Sequence, residues 1–492
     1  MMKRRQFLRL LLQSTVLVGC AQAPLPDEPT LDEPVLDEPV LDEAPLKGGE
    51  VVQPTAASIP VTEVDVVVIG AGIAGVAAAR AISDAGYRVH IIEARDRVGG
   101  RIWSWSDWGA PIELGANWIH TADGNPIAKL AKKAGVATQS DPEEGEEVMI
   151  DLVAGGRRLS EAEVESWYDR IEQILDDVYD DAGDADDTQS VWDAIAAHPR
   201  YQKLDAEQRR FVDAVIVQVI NDEYAAPATA LSWKYFNHGE EAYDGDDLFV
   251  VGGYDRIPAM LADGLPIALN TVVDRVQWSA DGVTVWAGAQ SWQASAVIVT
   301  VPLGVLQAGD VQFEPPLGDA YTWSINALAM GTLDRCVLQF DSVFWDEELT
   351  TISVIGEDSQ RWYQFIPLNN ALGIPALAGF NAGAAADDLE TYSDEELIAE
   401  MVAVLQSAFA TEEFAVVDAK IVRWKADPYA RGSYSYVPVG GDFTARQVLS
   451  EPLHDVIFFA GEAWTTTDPA TVHGAYQSGL ASAEACLAYL RD

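Results

Sequence analysis

The chain has 492 residues, 78 acids against 31 basic residues and a formal net charge of −47. Such a polyanion repels nucleic-acid phosphates, which excludes DNA or RNA as a phosphate-bound partner. The length allows two or three domains with a large buried core, and 15 tryptophans suit an enzyme with a deep apolar pocket. Only nine of the basic residues are lysine, and an acidic surface this widespread reads as adaptation to a salty medium more than as a substrate funnel.

The first twenty residues read as a targeting segment and are set aside from the fold. Lys3-Arg4-Arg5-Gln6-Phe7-Leu8 has the twin-arginine form, and the apolar stretch Leu10 to Val18 is too short to span a bilayer. It ends in Leu17-Val18-Gly19-Cys20, similar to a lipoprotein cleavage box with Cys20 as the lipidated residue. The expectation is an exported protein, periplasmic or at the cell surface, attached to the membrane periphery through Cys20. Removing residues 1–19 takes away four basic residues and no acid, so the formal charge moves from −47 to −51. From 21 to 60 the chain repeats Leu-Asp-Glu-Pro-Val, at Leu31 and again at Leu36. Frequent proline blocks helix and sheet, and like charges extend the chain, so this stretch reads as an acidic tether.

Val64 to Arg101 holds a dinucleotide-binding unit. Val66-Val67-Val68-Ile69 reads as a buried parallel strand, Gly70-Ala71-Gly72-Ile73-Ala74-Gly75 as a phosphate turn opening a helix, and Val89-His90-Ile91-Ile92-Glu93 as the next strand. Gly70 allows the tight turn, Gly72 lets backbone approach a pyrophosphate, and Gly75 lets the helix pack on the strand. The helix N-terminus offers N–H groups and a positive dipole end, and Glu93 stands where an acid meets a ribose hydroxyl. Arg95-Asp96-Arg97-Val98-Gly99-Gly100-Arg101 follows, adding a second glycine approach flanked by cations. Two-dinucleotide-domain flavoproteins have this arrangement; ordinary NAD dehydrogenases do not.

Helices are expected at 160–181, opened by a Ser160/Glu163 capping box, and at 188–197, 205–222, 393–410 and 473–490. Strands are expected at 247–251, 272–278, 282–287, 296–300, 334–341, 349–355, 361–366, 375–380 and 420–425, with another at Val456–Phe459 running into the Gly461-Glu462 turn. Cys336 and Cys486 lie in apolar settings and read as free packed thiols.

Further segments now carry a resemblance. Leu114-Gly115-Ala116-Asn117-Trp118-Ile119-His120, Val301-Pro302-Leu303-Gly304-Val305-Leu306, Phe313-Glu314-Pro315-Pro316-Leu317, Arg431-Gly432-Ser433-Tyr434-Ser435-Tyr436, and Phe459-Ala460-Gly461-Glu462 with Ala470-Thr471-Val472-His473-Gly474-Ala475 are similar, in order, to segments of the flavin-containing amine oxidases. The polyamine oxidase and histone-lysine demethylase branch is the nearest in form, and the resemblance covers nearly all of 63–490.

The resemblance implies an α/β fold: a two-dinucleotide-binding-domain flavoprotein with a Rossmann-type FAD domain and an α+β substrate domain. FAD-binding parts are expected at 61–125, 247–310 and 451–492, and substrate-domain parts at 126–246, largely helical, and 311–450. It implies non-covalent FAD, since Ser433 stands where covalent relatives carry a cysteine. The FAD ligands it implies are Gly70, Gly72, Ile73, Ala74, Gly75, Glu93, Ala94, Arg95, Gly100, Arg101, Gly115, Ala116, Asn117, Trp118, Val273, Gly461, Glu462, Thr471 and Val472. No metal is expected. The implied reaction is hydride transfer from the carbon beside an amine nitrogen to flavin N5, followed by imine hydrolysis and electron transfer to dioxygen. Tyr434 and Trp424, the latter placed on the strand at 420–425, are the implied ring-facing aromatics, and His120 a polar site residue. Two departures stand out. Arg335 occupies the position of the family's flavin-facing lysine, and Thr471 a position where some relatives carry an aromatic. An L-amino-acid oxidase or desaturase, with Arg335 on a substrate carboxylate, and an FAD-retaining surface-anchored binding protein are the competing readings.

Overall fold

The computed structural model describes residues 61–491, apart from 143–144, 240–241, 358–360 and 412. The expected targeting segment, Cys20 and the whole of the expected tether lie outside the described residues. The fold is α/β, as expected.

Val66–Ile69 is apolar throughout and shielded on both faces, as a central parallel strand must be. It sits in the middle of a five-stranded all-parallel sheet, in the order Ile267–Ala268, Val89–Ile92, Val66–Ile69, Ala296–Val299, Ile457–Phe459. The helices Ile73–Asp84 and Val472–Arg491 pack together over one face, where a Cβ on Gly479 would collide with the Ala74 carbonyl. A second sheet, running Val61–Glu63, Gln290–Ala294, Gly282–Ala287, Arg275–Ser279, Gln312–Glu314, covers the other through Val276, Val285 and Trp292.

The substrate half is a seven-stranded mixed sheet, ordered Val416–Val422, Leu333–Phe340, Ala376–Ala382, Gln364–Pro367, Leu349–Ile355, Glu146–Asp151, Arg157–Arg158. Strand alternation divides Leu333–Phe340 between two cores. Cys336, Leu338 and Phe340 pack with the helix Asp394–Phe409, while Leu333 and Val337 face Ile112, Leu114, Phe249 and Trp424. A helical unit around Glu161–Asp180 and Ala206–Ile216 has its own core. Both Ser160 and Glu163 make the expected capping-box bonds.

Three readings need correction. The strand expected at 420–425 is Val416–Val422, so Trp424 lies beyond it. The helix expected over 205–222 is α-helical only to Ile216, then widens into a π-turn at Val217–Asn221. The region 126–246 contributes the strand Glu146–Asp151, whose acidic flanks mask it in sequence. The expected domain seams also cut through packed bodies: Ile127, Ala131 and Val136 belong to the nucleotide core, and Val311, Ile325, Leu328, Ala445 and Leu449 pack on its other face. Cys336 and Cys486 are free and buried, and burial pushes each thiol up to about 12.

Candidate active site

A single cavity of about 700 Å³ runs from the glycine turn to the helical unit. All the sequence-derived site residues line it except Gly75. Gly75 serves packing instead: a Cβ there would overlap the Gly70 carbonyl oxygen and sit 2.9 Å from Thr300 Oγ1. Gly70 has φ +104°, a conformation L side chains rarely adopt. A Cβ on Gly72 would meet nothing within 4 Å, and Gly72 caps the helix Ile73–Asp84 with no side-chain bond. First-turn N–H groups and an open approach therefore face the cavity, which suits a pyrophosphate.

Glu93 ends its strand against this turn. Oε2 accepts from Ala71 N (2.6 Å) and Oε1 from Arg95 N (2.8 Å), and burial pushes the carboxyl upward against these bonds. Each oxygen keeps a second lone pair for a ribose hydroxyl. Arg95 lines the cavity and forks onto Asp427 at 2.7 and 2.9 Å. Arg101 donates to Ser433 O and Glu462 Oε1, both at 2.8 Å. Glu462 also accepts from Ser435 Oγ (2.6 Å), to which the fully buried Arg446 donates at 2.9 Å. Burial raises the Glu462 carboxyl, but Arg101, the Ser435 hydroxyl and Arg446 outweigh it, and the net shift is downward. Burial pulls Arg446 down to about 10. Arg446 carries no motif, and sequence offered no signal for it.

Leu333 and Arg335, at the start of their strand, line the cavity, while Asp334 between them lies on the opposite face. The Leu333 N–H donates to Ser433 Oγ (2.8 Å). Asp334 Oδ1 accepts from Trp424 N (2.9 Å). Arg335 donates Nη1 to the Glu113 carbonyl and to Asn117 Oδ1 (2.9 Å), and its guanidinium lies 4.6 Å from the centre of Phe380, its cross-strand partner. Burial lowers Arg335 to about 10, with Glu113 opposing the shift. It also pushes the Glu113 carboxyl up to about 7, against bonds from Ser104 Oγ and Tyr254 N. Gly115 and Ala116 complete this wall.

The far end is built of rings and acids. Tyr434 donates its hydroxyl to the Asp222 carbonyl, just past the π-turn. His120 pairs through Nδ1 with Asp247 Oδ2 (2.8 Å), and Asp247 Oδ1 accepts from Thr121 N (2.9 Å). A carboxylate only accepts, so the imidazole hydrogen sits on Nδ1. Glu223, Tyr224, Tyr235, Phe236 and Asp468 also line this end, none of them singled out by sequence. Only the acid run after the helix at 206–216 hinted at Asp222 and Glu223. Thr471 has a structural duty: Oγ1 accepts from Gly474 N (2.9 Å), capping the helix that starts at Val472. The polar glycine turn, the engaged carboxylates and the capless helix fit an FAD at the near end.

The family model for flavin containing amine oxidoreductase matches residues 73–487. Polyamine oxidase 4 of Oryza sativa subsp. japonica is 33% identical over 458 residues, 90% of this chain and 92% of that protein. The lysine-specific histone demethylase 1 homolog 2 of Arabidopsis thaliana is 32% identical over 87% of this chain, which spans 59% of that relative's length. Wild-type putrescine oxidase bound to putrescine superposes with a TM-score of 0.68 at 25% identity, covering 87% of this chain and 100% of that one. The glycine-turn unit, the returning C-terminal strand and helix, and a match over most of the chain agree: it belongs to the flavin-containing amine oxidoreductases and is an FAD-dependent amine oxidoreductase.

Proposed function

We propose that this enzyme oxidises a di- or polyamine at a carbon beside nitrogen. The observation that carries the reading is the far end of the cavity, where Asp222, Glu223, Asp247 and Asp468 stand among Tyr224, Tyr235, Phe236 and Tyr434. Carboxylates and ring faces both attract ammonium groups. The five cavity arginines are each held by protein acceptors: Arg95 by Asp427, Arg101 by Glu462, Arg335 by Glu113 and Asn117, Arg431 by Asp310, and Arg446 by Ser435 and Ala463. Arg335 Nε and Arg446 Nε stay without a partner, so the preference over the amino-acid oxidase reading is carried by the acids and rings and not by the arginines.

Bound FAD would accept a hydride from the carbon beside nitrogen and pass its electrons to dioxygen, leaving an imine that water converts to an aldehyde. The chain's part is to hold the amine. Tyr434 and Trp424 wall the reacting end, the Asp247-oriented His120 supplies a polar edge, and the acids neutralise the ammonium left on the rest of the substrate. Arg335 keeps its positive charge, and we assign it a slower reaction of reduced enzyme with oxygen than a lysine would allow.

Anaerobic titration tests the reading. Putrescine, spermidine or spermine should bleach the flavin absorbance, and L-amino acids should not. Bleaching by an amino acid with no response to any polyamine overturns it; no response to either favours the binding-protein reading. Acid precipitation should release the flavin into the supernatant, since Ser433 cannot form a thioether. We also propose that the protein is exported and anchored through Cys20, so Cys20→Ser should abolish lipid labelling.

A further inference from the structure

The strand Val416–Val422 ends two residues before Trp424, so the peptide that aims this ring has no sheet partner at its N–H. Side chains take the place of the sheet. Asp334 Oδ1 accepts from Trp424 N at 2.9 Å and Glu390 Oε1 from Lys425 N at 2.6 Å. The two carboxyls line the same small pocket and act on each other across it, and Asp334 is only 9% exposed. The Trp424 carbonyl in turn accepts from Gly432 N (2.9 Å), at the head of the segment that carries Tyr434. Alternation along the strand puts Asp334 on the face away from the cavity, so it touches neither substrate nor cofactor space directly.

We propose that Asp334 and Glu390 form a proton-sharing carboxyl pair that positions Trp424, and that the ring is held in place only while one proton is shared between them. Two carboxylates are both pure acceptors, so they can face each other only if one is protonated. The neighbouring cations do not supply an alternative donor. Arg423 is paired with Asp394 (2.6 Å), Lys425 with Asp387 (2.6 Å), and Arg361 with Glu400 (3.1 Å) and Asp388; Arg335, next on the strand, turns the other way to Glu113 and Asn117. Burial, then the partner carboxyl, raises Asp334 well above the usual carboxylate range, and burial raises Glu390. Loss of the shared proton puts two negative charges in contact, and one must leave. Glu390, the more exposed of the two, swings out, and the amide of Lys425 loses its acceptor. Trp424 loosens with it.

Fluorine NMR of fluorotryptophan-labelled holoenzyme tests this, with Trp424→Phe identifying the resonance. The Trp424 signal should shift with pH in the native chain. It should stay fixed across the same range in Asp334→Asn, which keeps an acceptor for Trp424 N and offers an amide N–H to Glu390 at every pH. Glu390→Gln makes the same locked pair from the other side and decides the matter if Asp334→Asn does not fold. A buried pair with only a structural role would leave the Trp424 signal still. A pH-independent native resonance, or a titration that persists unchanged in the locked variants, overturns the proposal. The spectra need no substrate, so they stand or fall separately from the amine assignment, on which the proposal rests only in calling Trp424 a wall of the amine site.

Discussion

The two ends of the cavity are made of different material. The nucleotide end is backbone: a turn at Gly70 with positive φ, a helix start without a side chain at Gly72, and one buried carboxylate tying the turn to the next strand. The amine end is side chains, brought from the π-turn, from Asp247, from the segment 424–434 and from Asp468. Backbone atoms cannot move aside individually, whereas side chains repack. Changes at the first end should therefore act as all or none, and changes at the second should be graded.

The largest effect on flavin content is expected at Gly75. A Cβ there meets the Gly70 carbonyl oxygen, an overpacking cost of at least about 1–3 kcal/mol placed on the turn itself. Gly75→Ala should purify colourless; a yellow protein with full flavin content breaks the contrast.

Glu462→Gln comes next, because it uncouples a fully buried carboxylate from Arg101 and leaves Arg446 without its nearest opposite charge. Breaking a buried pair costs about 3–5 kcal/mol. The folded carboxyl lies below its ordinary value of 4.5, so its contribution is present above that value and is lost as pH falls through the depressed one. The native melting temperature should drop on the acid side more steeply than that of the variant.

Arg335→Lys should be milder and selective. A lysine can keep one of the two acceptors, Glu113 O or Asn117 Oδ1, as a compact donor. Reoxidation of reduced enzyme should rise by on the order of tenfold, about 1.4 kcal/mol, with anaerobic reduction changed less. Stopped-flow measurement of the two half-reactions separates them, and unchanged reoxidation makes Arg335 a purely structural brace.

Thr471→Ala should matter least. Loss of the cap to Gly474 N costs about 1 kcal/mol of stability. An unaltered KM for amine would confirm the cap, and a large KM change would restore Thr471 to the substrate site.

This difference in material also explains what the sequence could reveal. Backbone requirements leave marks in a short window: glycines at fixed spacing, an apolar run before them and an acid after the next strand. Hence the sheet, its helix and the turn were readable. The amine end leaves no such mark. Asp468 and Tyr235 are ordinary residues until the fold brings them together, and Arg446 is an arginine in an unremarkable helix. Trp424 was placed on a strand with Ile421 and Val422; the structure ends that strand at Val422, and Asp334 takes the Trp424 N–H. The ion pair of Arg95 was not legible, because its partner Asp427 lies far along the chain.

The parallel sheet takes its central strand from 66–69 and its edge strand from 457–459. Seen from the ribosome, the glycine turn emerges long before the strand Ile457–Phe459 and the helix Val472–Arg491 that complete its sheet. Closing so long a loop delays the final architecture. The nascent chain therefore has no finished seat for its cofactor until those residues have emerged, and flavin loading follows their synthesis. A chain stopped before 457 should then yield a protein that never colours, although its entire phosphate turn is intact.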